Sequence, residues 1–115
     1  MSTLRVGFVG LGAMGASMAG HLHRLGLLVA VANRTHEKAL RFADNHAGVQ
    51  AFADAGDLTV HCDVVVSCVT ADSDVLGLAE ALAKNARPGF VLVDTSTIAS
   101  TSAQRAADLL RAVGA

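Results

Sequence analysis

The stretch VGFVGLGAMGASM, residues 6–18, sets three glycines, Gly10, Gly12 and Gly15, in a G-x-G-x-x-G array between two different hydrophobic patterns. Before the array, the run from Arg5 to Val9 reads as a buried strand; after it, Met14, Met18, Leu22 and Leu25 recur at helical spacing. The array alone occurs by chance in Gly-rich chains. Strand, glycines and helix in that order give it a mechanism. Gly10 permits the tight turn, Gly12 lets the backbone approach a diphosphate, and Gly15 allows the helix to pack closely on the strand. A diphosphate would then lie on the helix N-terminus, where free N–H groups and the positive end of the dipole favour an anion. The alternative is a Gly-rich turn that holds nothing.

Outward from this turn, strand-like and helical patterns alternate along the chain. Apolar runs at Leu28 to Ala32, Asp63 to Val69 and Phe90 to Val93, with a weaker one at Val49 to Phe52, predict further strands. Ala39, Leu40 and Ala43, then Val75, Leu78, Ala79 and Leu82, predict helices between them. Thr35 is a candidate N-cap, Thr101 with Gln104 forms a capping-box pattern ahead of Ala106, Ala107 and Leu110, and Gly26 and Gly48 fall where helix ends are expected. Arg87-Pro88-Gly89 reads as a turn into the last strand. The expectation is one α/β domain over 1–115: a Rossmann-type parallel sheet of about five strands, flanked by helices, in the order 3-2-1-4-5.

Composition narrows the function classes. Hydrophobic residues make up 52% of the 115, yet no apolar run approaches the roughly 18 residues of a membrane helix. The net charge of −1, the scattered Lys and Arg and the absence of Tyr and Trp argue against a nucleic-acid groove or an acidic membrane surface. The N-terminus reads straight into a strand without the pattern of a signal peptide, so a cytoplasmic location is expected. Cys62 and Cys68 are expected to lie roughly 20 Å apart in an extended run, and so to remain buried, reduced thiols.

Two further stretches qualify as site candidates. At the end of the second strand, dinucleotide folds for NAD place a carboxylate for the ribose hydroxyls. This chain has Ala32-Asn33-Arg34-Thr35 instead. Arg34 offers a planar fork of donors to a 2′-phosphate, and Asn33 and Thr35 add neutral ones, which points to NADP. The alternative is a solvated arginine at a strand end. At the end of the fifth strand, VDTSTIAS, residues 93–100, sets Thr95, Ser96 and Thr97 in a row, able to donate to a nicotinamide carboxamide, a ribose or a substrate carboxylate. Such residues equally start helices.

The remaining polar residues read as structural. Lys38 and Lys84 read as solvated, and Asp72 and Asp74 as the start of a helix. His21 and His23 face different ways on one helix, while His36, His46 and His61 fall at helix ends or loops, so neither a metal cluster nor a base-and-nucleophile pair is expected. No catalytic residue is assigned.

Taken together, GFVGLGAMG (7–15), NRT (33–35), CDVVVSCVT (62–70) and VDTSTI (93–98) resemble the N-terminal half of the β-hydroxyacid dehydrogenase family, which includes 3-hydroxyisobutyrate dehydrogenase and the glyoxylate and succinic semialdehyde reductases. The resemblance implies backbone contacts to NADP at the turn after Gly10, from Leu11, Gly12, Ala13, Met14 and Gly15. It further implies Asn33, Arg34 and Thr35 at the 2′-phosphate, Val69 and Thr70 along the cofactor, Thr97 near the nicotinamide ribose and Ser96 on the substrate side. Ser100 stands where the family usually has proline. The family's last strand, its substrate loop and its helical C-terminal domain with a catalytic lysine have no counterpart before Ala115.

The implied function is the NADP-binding domain of an oxidoreductase that moves hydride between nicotinamide C4 and a short hydroxy acid or semialdehyde, with the 115-residue chain inactive on its own. A binding or protein-interaction module without catalysis is one alternative. An imine reductase is another, against which DTST argues. An open edge on the fifth strand predicts self-association and a homo-oligomer.

Overall fold

The computed structural model describes residues 4–69, 71–95 and 100–114. The elements run β1 (Val6–Val9), α1 (Ala13–Arg24), β2 (Leu28–Ala32), α2 (His36–Asp44), β3 (Gln50–Phe52), a 3-10 turn (Ala55–Asp57) leading into α3 (Leu58–His61), β4 (Val64–Ser67), α4 (Asp72–Ala83), β5 (Val91–Asp94) and α5 (Ser100–Arg111). The five strands form one parallel sheet in the order β3-β2-β1-β4-β5, as the alternating pattern predicts. The order reverses between β1 and β4, which opens a crevice at their carboxyl ends.

Helices cover both faces, and two apolar clusters result. On one face, Phe8, Leu28 and Val31 pack with Ala19 of α1 and with Ala39 and Phe42 of α2. On the other, Val9, Ala30, Ala32 and Val65 pack with Val75, Leu78, Ala79 and Leu82 of α4 and with Ala106 and Leu110 of α5. The neighbours Leu28 and Ala30 belong to opposite faces although a regular strand would put them on the same one. A register irregularity explains this: Val6 pairs with Leu28, but Gly7 pairs with Ala30, so Val29 is an extra residue that reverses the alternation.

Several local expectations are corrected. The first helix does not bury Met14 and Leu25, which are 69% and 71% exposed; its sheet-facing positions are Gly15 and Ala19, because small residues let the helix lie close. Leu40 is exposed as well, and Phe42 takes the buried place on α2. Thr35 stands at the N-cap of α2 but its side chain makes no capping hydrogen bond. Thr101 lies inside α5 rather than ahead of it, and Gln104 Nε2 donates forward to Asp108 Oδ1 at 2.9 Å. The strand at Asp63 to Val69 is shorter, Val64–Ser67.

Cys62 and Cys68 are free thiols, the first fully buried. Burial pushes the Cys62 thiol up to about 11. β5 is an edge of the sheet among the described residues, and its Val91 and Val93 are exposed. No described helix is long and apolar enough to cross a membrane.

Candidate functional site

The glycine turn is fixed by backbone contact. Gly10 has φ +98°, and a Cβ there would meet the carbonyl oxygen of Cys68 at 2.0 Å. A Cβ on Gly15 would meet the carbonyl oxygen of Gly10 at 1.9 Å, so α1 can start at this height over β1 only with glycine at that position. Gly12 differs: a Cβ there would face open space, with nothing of the protein within 4 Å. Gly10 and Gly15 serve the fold, and Gly12 leaves room outside it.

α1 begins beside that room. The N–H of Ala16 is the first to close on Gly12 O, at 2.8 Å, so the N–H groups of Ala13, Met14 and Gly15 have no partner one turn back in the helix. The first turn carries no acidic residue and Gly12 offers no capping side chain, so the positive end of the helix dipole is not offset locally. The N–H of Leu11 is used otherwise. It donates to Asn33 Oδ1 at 2.8 Å, and Asn33 Nδ2 donates to Thr35 O at 3.0 Å. Asn33, expected as a neutral donor to a phosphate, is thus largely committed to tying the end of β2 to the glycine turn.

These groups border a cleft of about 590 Å³ along the carboxyl ends of β1, β2 and β4. It brings together Gly10, Gly12, Ala13, Met14, Gly15, Asn33, Arg34, Thr35 and Val69. Leu11 is buried behind the turn. Thr70, Ser96 and Thr97 lie outside the described residues. Small residues, Ala53, Ala55, Gly77 and Ala81, with Leu78, line one part of the cleft and make it an apolar slot.

Two charged residues at this end read from the sequence as a solvated lysine and as a helix start, not as parts of a site. Lys38, one helical turn beyond Arg34, also lines the cleft; that spacing was the available signal. Asp74, in the first turn of α4, pairs with Arg34, Nη1 to Oδ1 at 3.5 Å. No local pattern announces this pair, since its members come from opposite sides of the crevice.

At the carboxyl end of β4, next to the cleft, Ser67 is fully buried and links β4 to β5. Its hydroxyl donates to Asp94 Oδ1 at 2.8 Å. Its carbonyl accepts from the backbone N–H of Thr95 at 2.8 Å and from the Thr95 hydroxyl at 2.7 Å. The Thr95 hydroxyl, expected among the donors to a ligand, therefore joins two strand ends.

Three of the described histidines are engaged in contacts within the fold. His46 stacks on Phe42 with ring centroids 3.8 Å apart, His61 lies against Phe52 at 4.9 Å, and His23 Nε2 is 3.0 Å from Ala47 O.

Comparison with known proteins agrees with this geometry. The probable 3-hydroxyisobutyrate dehydrogenase-like 1 of Arabidopsis thaliana is 39% identical over 101 residues, covering 84% of this chain and 29% of the relative. The structure of 3-hydroxyisobutyrate dehydrogenase from Mycobacterium tuberculosis, with L-serine, superposes with a TM-score of 0.86 at 27% identity, covering 98% of this chain and 38% of that one. A reductive aminase from Aspergillus terreus, in complex with NADPH and ethyl levulinate, superposes with a TM-score of 0.78 at 25% identity over 98% of this chain and 39% of its own. The chain thus spans less than half the length of these proteins. The sequence model of the NAD-binding domain of 6-phosphogluconate dehydrogenase matches residues 5–115, and the chain belongs to that family.

Proposed function

We propose that this chain is the NADP(H)-binding domain of an oxidoreductase acting on a short β-hydroxy acid or semialdehyde. The observation that carries the reading is Arg34 at the end of β2, where a carboxylate for ribose hydroxyls would otherwise stand, 82% exposed on its side chain and on the same cleft as Lys38 and the uncapped α1. A carboxylate would repel a 2′-phosphate; a guanidinium forks onto one.

The residues present fit the cofactor. The apolar slot suits an adenine, the N–H groups of Ala13, Met14 and Gly15 suit the diphosphate, and Arg34, Thr35 and Lys38 suit the 2′-phosphate. When bound, the nicotinamide supplies hydride transfer at C4. This chain's own part is to bind and orient, through a turn whose shape Gly10, Gly15 and Asn33 fix in advance. Support for the substrate class comes from the kinship with 3-hydroxyisobutyrate dehydrogenases. The reductive aminase neighbour, a complex with NADPH, supports the cofactor and keeps an imine-reducing chemistry as the second reading.

Calorimetric titration with NADPH and NADH, alongside Arg34→Ala, tests the proposal. NADPH should bind at least about tenfold tighter, and the advantage should vanish in the variant, as expected for loss of a charge-assisted contact. Binding of neither nucleotide, or an Arg34→Ala preference equal to wild type, overturns it. Steady turnover of a hydroxy acid by the 115-residue chain would overturn the view that it serves binding alone.

A further inference from the structure

Arg34 and Asp74 face each other over the end of the slot that would take an adenine, one from the loop after β2 and the other from the first turn of α4. Their mobility is unequal. Asp74 is 25% exposed on its side chain and sits where a helix N-terminus favours a carboxylate, whereas Arg34 is a long side chain, 82% exposed and joined to Asp74 by a 3.5 Å contact. Arg34 is the partner free to swing. Resting on the proposed role of Arg34 toward a 2′-phosphate, we infer that Asp74 sets how strongly the cleft prefers that phosphate, by competing with it for the guanidinium.

The two nucleotides make different demands on the pair. A phosphate on the 2′-oxygen needs the guanidinium fork, so Arg34 must give up Asp74 to bind it. A dinucleotide with a free 2′-hydroxyl carries no such charge there, and Arg34 can stay on Asp74. The carboxylate therefore weakens NADPH and leaves NADH nearly untouched. Asp74 is a specificity-determining residue that limits a preference its partner creates.

The test is a cycle of titrations with NADPH and NADH on wild type, Asp74→Asn, Arg34→Ala and the double variant, at low ionic strength. Asp74→Asn should lower the NADPH Kd by about two- to fivefold, the range expected for release of an exposed ion pair, with NADH unchanged. The gain should be lost in the Arg34→Ala background and should shrink with added salt. Asp74→Ser, which also keeps an oxygen in the first turn of α4, should reproduce the gain and guards against an effect of one variant on folding. The inference is overturned if NADPH binding is unchanged in both Asp74 variants, if both nucleotides change equally, or if the gain persists without Arg34. Arg34→Ala alone reports on the phosphate reading separately: if it removes the NADPH preference while Asp74 is silent, the phosphate site stands and only the role of Asp74 falls.

Discussion

Two arginine–carboxylate pairs stand at opposite ends of the same sheet. At the amino ends, just before β1 and β4, Asp63 accepts from the backbone N–H of Arg5 at 3.0 Å and from its guanidinium at 3.2 Å. These bonds hold the Asp63 carboxyl below its ordinary value, the backbone N–H contributing most. At the carboxyl ends, Arg34 meets Asp74 through side chains, Nη1 to Oδ1 at 3.5 Å. The first pair joins two strand starts through main chain as well as side chain, and so behaves as part of the frame. The second joins two side chains across a cleft, and its looseness leaves a cation available. Polar groups of the same kinds serve stability at one rim and, in the proposed function, a ligand at the other.

The strongest way to sharpen this contrast is to crowd the carboxyl rim. Gly10→Ala and Gly15→Ala should each cost about 3 kcal/mol or more in urea unfolding, because the added Cβ meets a carbonyl that cannot move aside. Gly12→Ala should stay within about 0.5 kcal/mol of wild type and yet weaken dinucleotide binding by about tenfold or more, since its Cβ enters only the open space. A Gly12→Ala variant as unstable as the other two would break the distinction between glycines that build the turn and the one that leaves room.

Asn33→Ala comes next. It orphans the part-buried Leu11 N–H, a loss of about 1–3 kcal/mol by the same denaturant measurement, and should loosen nucleotide binding as well. Unchanged stability would mean that the brace between β2 and the glycine turn contributes nothing to the shape of the site.

A smaller effect tests the amino rim through Cys62, whose thiol burial raises from 9.0 to about 11. A raised folded value means that its contribution is complete below about pH 9 and is lost as pH climbs toward 11. Stability followed across that window should fall less steeply in Cys62→Ala. In native labelling at pH 8, Cys68 should react well before Cys62; the reverse order would show that the amino rim opens easily.

The smallest effect belongs to Asp63. Its value is depressed below 3.8, so its contribution is present above that pH and disappears as pH falls through the lower folded value. Asp63→Asn should flatten the acid limb of the stability curve below about pH 4, with little change at neutral pH, because the pair is exposed. An identical acid limb in the variant would leave the main-chain bond as the whole of that link.

Much of this molecule can be read along the chain. Continuous apolar runs marked the strands, and Val75, Leu78, Ala79 and Leu82 marked the buried face of α4, because a helix repeats its face every three to four residues. The glycine array located the turn, and the arginine in place of a carboxylate after β2 located a cation on the cleft. Misreadings arose where burial was inferred from residue type. Met14 and Leu25 looked like the core face of α1, but the close approach fixed by Gly15 puts small residues there and turns the long ones outward.

Spacing along one strand, turn or helix settled the alternating architecture, the position of the glycine turn and the absence of an acid after β2. It could not settle the extra residue at Val29, since an all-apolar strand looks the same in either register. Nor could it settle the Asn33 brace, the Ser67 link or the meeting of Arg34 with Asp74, which join residues from separate elements. Those contacts exist because the strand order puts the loops after β1, β2 and β4 at one rim, and proximity across a sheet is a property of topology rather than of local spacing.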